Sequence, residues 1–140
     1  MKANYYINGI GIISPQKTFD NGEFLPDVLP YHQNMMNCVL PDFKDYINPI
    51  QLRRLSRMLR VGLSSAVICL RDSGNISPDG IITATGHGFL NDTAKFLTEI
   101  YEFEEKQLTP TYFMQSTYNA LAGLVALTLK CKGYYNTYVN

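Results

Sequence analysis

Two histidines, three cysteines and clusters of arginine and glutamate are the residues of this 140-residue chain that could do chemistry. His87 stands in Gly86-His87-Gly88, directly after the β-branched run Ile81 to Thr85. A strand that runs into a glycine turn ahead of a helix is the corner at which α/β proteins place their sites. The same pattern describes any tight strand-to-helix turn. It is not a phosphate loop, because the Walker spacing and its Lys-Ser/Thr are absent, and Gly86-x-Gly88 lacks the third glycine of the dinucleotide fingerprint. No Cys, Asp or Glu stands beside His87 at ligand spacing, so it reads as a structural or pocket-lining residue ahead of a catalytic or metal-binding one. His32, inside a proline-rich loop, has less to support it.

Cys38, Cys69 and Cys131 are odd in number and irregular in spacing, which fits neither a disulfide framework nor a metal knuckle. They read as free, buried thiols, with no cationic neighbour in sequence to activate them as nucleophiles. No metal ligand set and no cofactor motif is found, and no catalytic residue is assigned. Arg53, Arg54, Arg57 and Arg60 decorate the first half of a helix. They read first as a solvated, salt-bridged face and second as a patch for an anionic ligand or a carrier protein. Glu99, Glu102, Glu104 and Glu105 share the wet side of another helix, a poor place for a general acid and base.

The elements that must position these residues follow from capping and periodicity. Tyr5 to Ile13, with Gly9 and Gly11, reads as a buried strand of a parallel sheet that another backbone approaches closely. Asn21-Gly22, between Thr18 and Phe24, predicts a small hairpin. From Leu25 to Ile47 the prolines forbid a long element. Asn48-Pro49 opens a helix that Gly74 ends, with Leu52, Leu55, Leu59, Leu63, Ala66 and Leu70 in one apolar stripe. Ile81 to Thr85 is a strand, and Asn91-Asp92 caps a helix that buries Phe96, Leu97, Ile100 and Phe103.

Leu108 to Gly133 opens with the cap pair Thr109-Pro110, and from Asn119 to Cys131 it is apolar or small at nearly every position. A helix without a polar face is a buried helix, and this one is too short for a membrane span. Tyr134 to Val139 then reads as a strand entering the core. Alternation of this kind implies an α/β fold with a mostly parallel sheet and helices on it, in one domain over residues 1–140.

The formal net charge is zero and the charged content is 17 %, so there is no basic excess with which to bind nucleic acid. Low charge with ten Tyr and seven Phe points to surface that something covers, in an oligomer or a larger protein. The N-terminus lacks the apolar region of a signal peptide, and a cytoplasmic location is expected.

Four blocks in order resemble the β-ketoacyl-[acyl carrier protein] synthases of the thiolase-like fold. Ile7-Asn8-Gly9-Ile10-Gly11-Ile12-Ile13-Ser14-Pro15 is similar to that family's first strand, and Arg53-Arg54-Leu55-Ser56-Arg57 with Ser65-Ala66-Val67 to its long helix. Thr83-Ala84-Thr85-Gly86-x-Gly88 resembles its glycine-ended strand. Leu108-Thr109-Pro110-x-x-Phe113-x-x-Ser116-Thr117-x-Asn119, then Ala122-Gly123 and Gly133, resembles the block ahead of its nucleophile. The loop from Gln16 to Ile47 is shorter than the family's and lacks its middle motifs.

The resemblance implies the N-terminal half of a layered α/β/α fold, with the nucleophilic cysteine falling just past Asn140 and none of the three cysteines in its place. It implies that Phe113, Met114, Ser116, Thr117 and Asn119 lie near an acyl pocket or the dimer interface. The expected function is the scaffold of an acyltransferase in fatty-acid or polyketide-type lipid biosynthesis, working as a dimer with an acyl carrier protein and inactive alone. The alternative is a non-catalytic partner subunit of the chain-length-factor type, associating with a ketosynthase-like chain. A small-molecule binding domain at the Gly86–Gly88 turn is a third reading.

Overall fold

The computed structural model describes residues 4–20, 22–23, 25–74 and 77–140. Among them, a 3-10 turn at Phe43–Asp45 precedes α1 (Pro49–Leu52), α2 (Arg57–Asp72), β1 (Gly80–Thr85), α3 (Leu90–Phe103), α4 (Pro110–Ser116), α5 (Ala120–Leu129) and β2 (Tyr134–Val139). The two strands pair in parallel, from Gly80 opposite Tyr134 to Thr85 opposite Val139. The hydroxyls of Thr83 and Thr137 meet across this ladder at 2.7 Å. A parallel pair needs a long crossover, and α3, α4 and α5 supply it.

The core lies between α2, α5 and β1. Leu55, Leu59 and Leu63 of the predicted stripe are buried there with Ile47, Ile81, Phe89, Ala122, Val125 and Ala126. Gly62 lets the two helices close on each other, since a Cβ at that position would stand 2.6 Å from a Leu121 methyl. At the start of the ladder a Cβ on Gly133 would overlap the Asp79 carbonyl, so glycine is required where β2 enters beside β1.

Several expectations are corrected. The first strand is not one among the described residues: Tyr5 to Ile13 is extended and lies along α2 as a strap. Its backbone groups bond to helix side chains instead of a ladder. Asp72 Oδ2 accepts the Ile10 N–H at 2.8 Å, Ser65 Oγ donates to the Gly11 carbonyl at 2.6 Å, and Cys69 Sγ donates to the Gly9 carbonyl at 3.3 Å. The close approach expected at the glycines is present, for a Cβ on Gly9 would stand 2.5 Å from the Cys69 carbonyl and one on Gly11 would overlap that of Ser65. The predicted hairpin involves Asn21 and Phe24, which lie outside the described residues.

The long helix opened by Asn48 is two helices. Asn48 Oδ1 caps α1 by accepting the Ile50 N–H at 2.9 Å, but the chain leaves the helix over Arg53–Ser56 and restarts at Arg57. Gly74, at φ 77°, stands just past the end of α2 as expected. The helix after the glycine turn begins earlier than its expected cap. Phe89 is buried in the core, and its carbonyl accepts the Asp92 and Thr93 N–H groups. On that helix Leu97 and Phe103 are exposed rather than buried, because nothing among the described residues covers them.

Leu108 to Gly133 is also two helices. Ser116 Oγ and Thr117 Oγ1 donate to the carbonyls of Phe113 and Met114, at 2.8 and 2.9 Å. These side chains take acceptors that another turn would have used, and Thr117 becomes extended. The second helix ends at Lys130, not Gly133, with Lys130 in the left-handed region and the Cys131 N–H on the Ala126 carbonyl. It is apolar all round yet buried only on the side of Ala122, Val125 and Ala126, and Leu127 is 80 % exposed. Strand β2 does not enter the core, since Tyr134, Tyr135, Tyr138 and Val139 remain exposed.

Candidate functional site

The carboxyl ends of β1 and β2 come together beside the glycine turn. Val139 pairs with Thr85, and the Asn140 N–H reaches the Thr85 carbonyl at 3.4 Å. Thr85 Oγ1 also accepts the Gly88 N–H at 2.9 Å, which closes the turn onto the strand. Gly88 is at φ 62°, where a side chain would be strained, and a Cβ there would also run into the Tyr118 ring. Strand end, turn and Tyr118 therefore form one corner, in the place where α/β folds hold ligands. His87 is exposed at the tip of this turn.

Helices α3 and α4 pack beside the corner as an antiparallel pair. Glu99 Oε2 accepts the Thr109 N–H at 2.9 Å and Oε1 accepts the Thr109 hydroxyl at 2.8 Å. Glu99 is thus not a solvated residue of an acidic face. It holds the start of α4, where the N–H groups lack helical partners. Phe96 and Phe113 meet with ring centroids 5.3 Å apart and planes at 52°. Phe113 is 56 % and Met114 59 % exposed, and Leu97, Tyr101 and Tyr118 are exposed apolar side chains as well.

Of the residues singled out from sequence, Phe113, Met114, Ser116 and Thr117 are brought together on α4 and its end. The two hydroxyls are occupied in terminating the helix. Asn119 is exposed at the start of α5, and its side chain makes no capping bond. Arg53, Arg54 and Arg57 are exposed around the α1–α2 break, and none forms a salt bridge among the described residues. The face is solvated as expected but not salt-bridged. Arg60 is turned to structure, with Nε donating to the Leu55 carbonyl at 2.8 Å.

Three contributors escaped the sequence reading. Gln115 of α4 ties the α1–α2 break, accepting the Ser56 N–H and donating to the Arg54 carbonyl. Tyr118 covers Gly88, and Thr85 closes the turn. Only Thr85 carried a signal, as a hydroxyl residue immediately ahead of the glycines.

Among the described residues no group of three or more His, Cys, Asp or Glu is placed to hold a metal ion. No helix among them is long and apolar enough to cross a membrane. Cys38 is exposed in the loop. Cys69 Sγ faces the strap, and Cys131 Sγ donates to the Pro78 carbonyl at 3.2 Å, at the amino end of β2.

The family model described as "Beta-ketoacyl synthase, N-terminal domain" matches residues 31–136. Among solved structures, one described as "The ishigamide ketosynthase/chain length factor" is similar with a TM-score of 0.59 at 16 % identity. The match covers 72 % of this chain and 27 % of that one, a likeness of fold. No curated protein matches the sequence at significance.

Proposed function

Because the chain belongs to the β-ketoacyl synthase N-terminal domain family, with that family's thiolase-like α/β fold in partial form, we propose that it serves as scaffold, subunit contact and acyl-pocket wall of a ketosynthase-like acyltransferase. The reaction such an assembly performs is a condensation. An acyl group held on a cysteine thiol is attacked by the carbanion left when a malonyl thioester loses carbon dioxide; the new carbon–carbon bond forms as the thiolate departs. Phe113, Met114, Ser116, Thr117 and Asn119 belong to the pocket wall or subunit contact in this reading, and His87 to the rim of the strand-end corner.

The observation that carries the reading is the exposure of large apolar side chains on α3, on α4 and at Tyr118, which stands against the turn after β1. Phe113, Met114, Leu97 and Tyr118 are all more than half exposed, apolar area that an acyl chain or a second subunit would cover favourably. Arg53, Arg54 and Arg57, without a salt bridge among the described residues, offer a cationic patch on which an anionic carrier protein can dock. The partner is a second copy or a ketosynthase-like chain.

A second reading, a non-catalytic partner subunit of the chain-length-factor type, is supported by the likeness to a structure described as a ketosynthase/chain length factor. A radiolabelled malonyl-carrier condensation assay tests the scaffold role. Residues 1–140 alone are expected to give no product, and product formed by this chain alone contradicts the proposal.

A further inference from the structure

A cleft of about 520 Å³ opens between α5 and β2, lined by Gly123, Ala126, Leu127, Lys130, Lys132 and Tyr135, with Cys131 beside them. Its size is that of a small-molecule site. The wall is apolar apart from the two lysines and the thiol, and no carboxylate lines it. Neither Lys130 nor Lys132 forms a salt bridge among the described residues. Two lining residues are ones a helix would not choose. Gly123 occupies a helix interior, where alanine is the better former, yet a Cβ there would meet nothing within 4 Å. No neighbour among the described residues requires the glycine, and its missing side chain keeps the cleft open. Lys130 takes the left-handed position at the helix end, φ 54°, where glycine is the ordinary choice. What the lysine adds there is a cation at the margin of an apolar cleft.

We propose that this cleft binds a single-chain alkyl anion of the free fatty-carboxylate class, the carboxylate on Lys130 and Lys132 and the chain along Gly123, Ala126 and Leu127 against Tyr135. The two cations complement the headgroup, and the helix face with the tyrosine ring complements the tail. The site goes beyond the acyl-wall reading. A thioester-linked acyl group carries no charge for the lysines to recognise, and the cleft lies at the amino end of β2, away from the strand-end corner. A free carboxylate and an anionic lipid surface share this chemistry, and the proposal commits to the monomeric amphiphile.

The test is calorimetric titration of the full chain with decanoate below its micelle concentration, alongside decanol and sedimentation with phosphatidylglycerol vesicles. Saturable one-to-one binding of decanoate is expected, weaker by about tenfold or more for decanol and for the Lys130→Gln/Lys132→Gln double variant, the size of a lost charge-assisted contact. Gly123→Leu fills the cleft without a clash at Cβ. It is expected to abolish binding while leaving the melting temperature at or above that of the parent chain. Undiminished binding by a folded Gly123→Leu, equal affinity for decanol, or capture by vesicles without binding of monomeric decanoate overturns the proposal.

Discussion

Gln115 of α4 accepts the Ser56 N–H on Oε1 at 2.9 Å, so one side chain reaches across to the point where α2 begins. The same amide donates through Nε2 to the Arg54 carbonyl. A donor and an acceptor that the α1–α2 break would otherwise leave open are thereby satisfied together. The α4 helix, which carries Phe113 and Met114, is held to the arginine-bearing break through this contact.

Gln115→Ala removes both bonds without touching the core. The expected cost is about 1–2 kcal/mol of unfolding free energy, the range for two modest hydrogen bonds at a partly exposed site. Urea denaturation measures it, and hydrogen exchange should rise first at Arg54–Arg57. A loss below experimental error would mean that the break holds its shape unaided.

Neighbouring positions on α2 should respond with opposite sign. Leu63 and Ser64 are both fully buried, and Ser64 Oγ has no hydrogen-bond partner among the described residues. Leu63→Ala opens a cavity between α2 and α5 and should cost about 2–5 kcal/mol. Ser64→Ala removes a desolvated hydroxyl and improves helix propensity, so it should stabilise the protein by about 0.5–1.5 kcal/mol. Parallel thermal melts of the two variants decide the matter, and destabilisation by Ser64→Ala would show that the hydroxyl has a partner in solution.

The strap is tested by Gly11→Ala. The added methyl overlaps the Ser65 carbonyl, which is helix backbone and cannot move aside. The strap should lift from α2, seen as faster hydrogen exchange at residues 9–11 and earlier proteolytic cleavage ahead of Ser14. Protection unchanged from the parent chain would contradict the packing described.

How much of this was legible in the sequence depended on the range of the interaction. Local signals held at Asn48 capping α1, Pro110 opening α4 and the bounds of β2, but not at the cap expected from Asn91-Asp92 or the stop expected at Gly133. The β-branched run and the glycine turn placed β1 and Gly88 correctly. Other errors fall where distant side chains decide. Nothing near Ser56 announces that Gln115 will stabilise a break in the leucine stripe. Nothing near Tyr5 to Ile13 announces that Ser65, Cys69 and Asp72 will replace strand partners. Glu99 looked solvated because its partner, Thr109, lies beyond the helix end. An apolar pattern likewise records which faces want cover, not which receive it, so Leu127 and Leu97 were read as buried.

Charge reversal separates docking from folding at the arginine patch. Arg53→Glu with Arg57→Glu changes two exposed, unbridged side chains, so stability should move by no more than about 0.5 kcal/mol. Affinity for an anionic carrier protein, measured by titration at two salt concentrations, should fall and lose most of its salt dependence. Unchanged affinity would remove the patch from the carrier-docking role.

Light scattering after size exclusion, on the chain alone and mixed with a ketosynthase-like chain, bears on the role as a subunit that needs covering. The expected result is a mass of two or more copies, or of the mixed complex, with Phe113→Ser/Met114→Ser shifting the distribution toward monomer while the fold persists by circular dichroism. A monodisperse monomer at every concentration, unchanged by the partner and by those substitutions, would contradict the account.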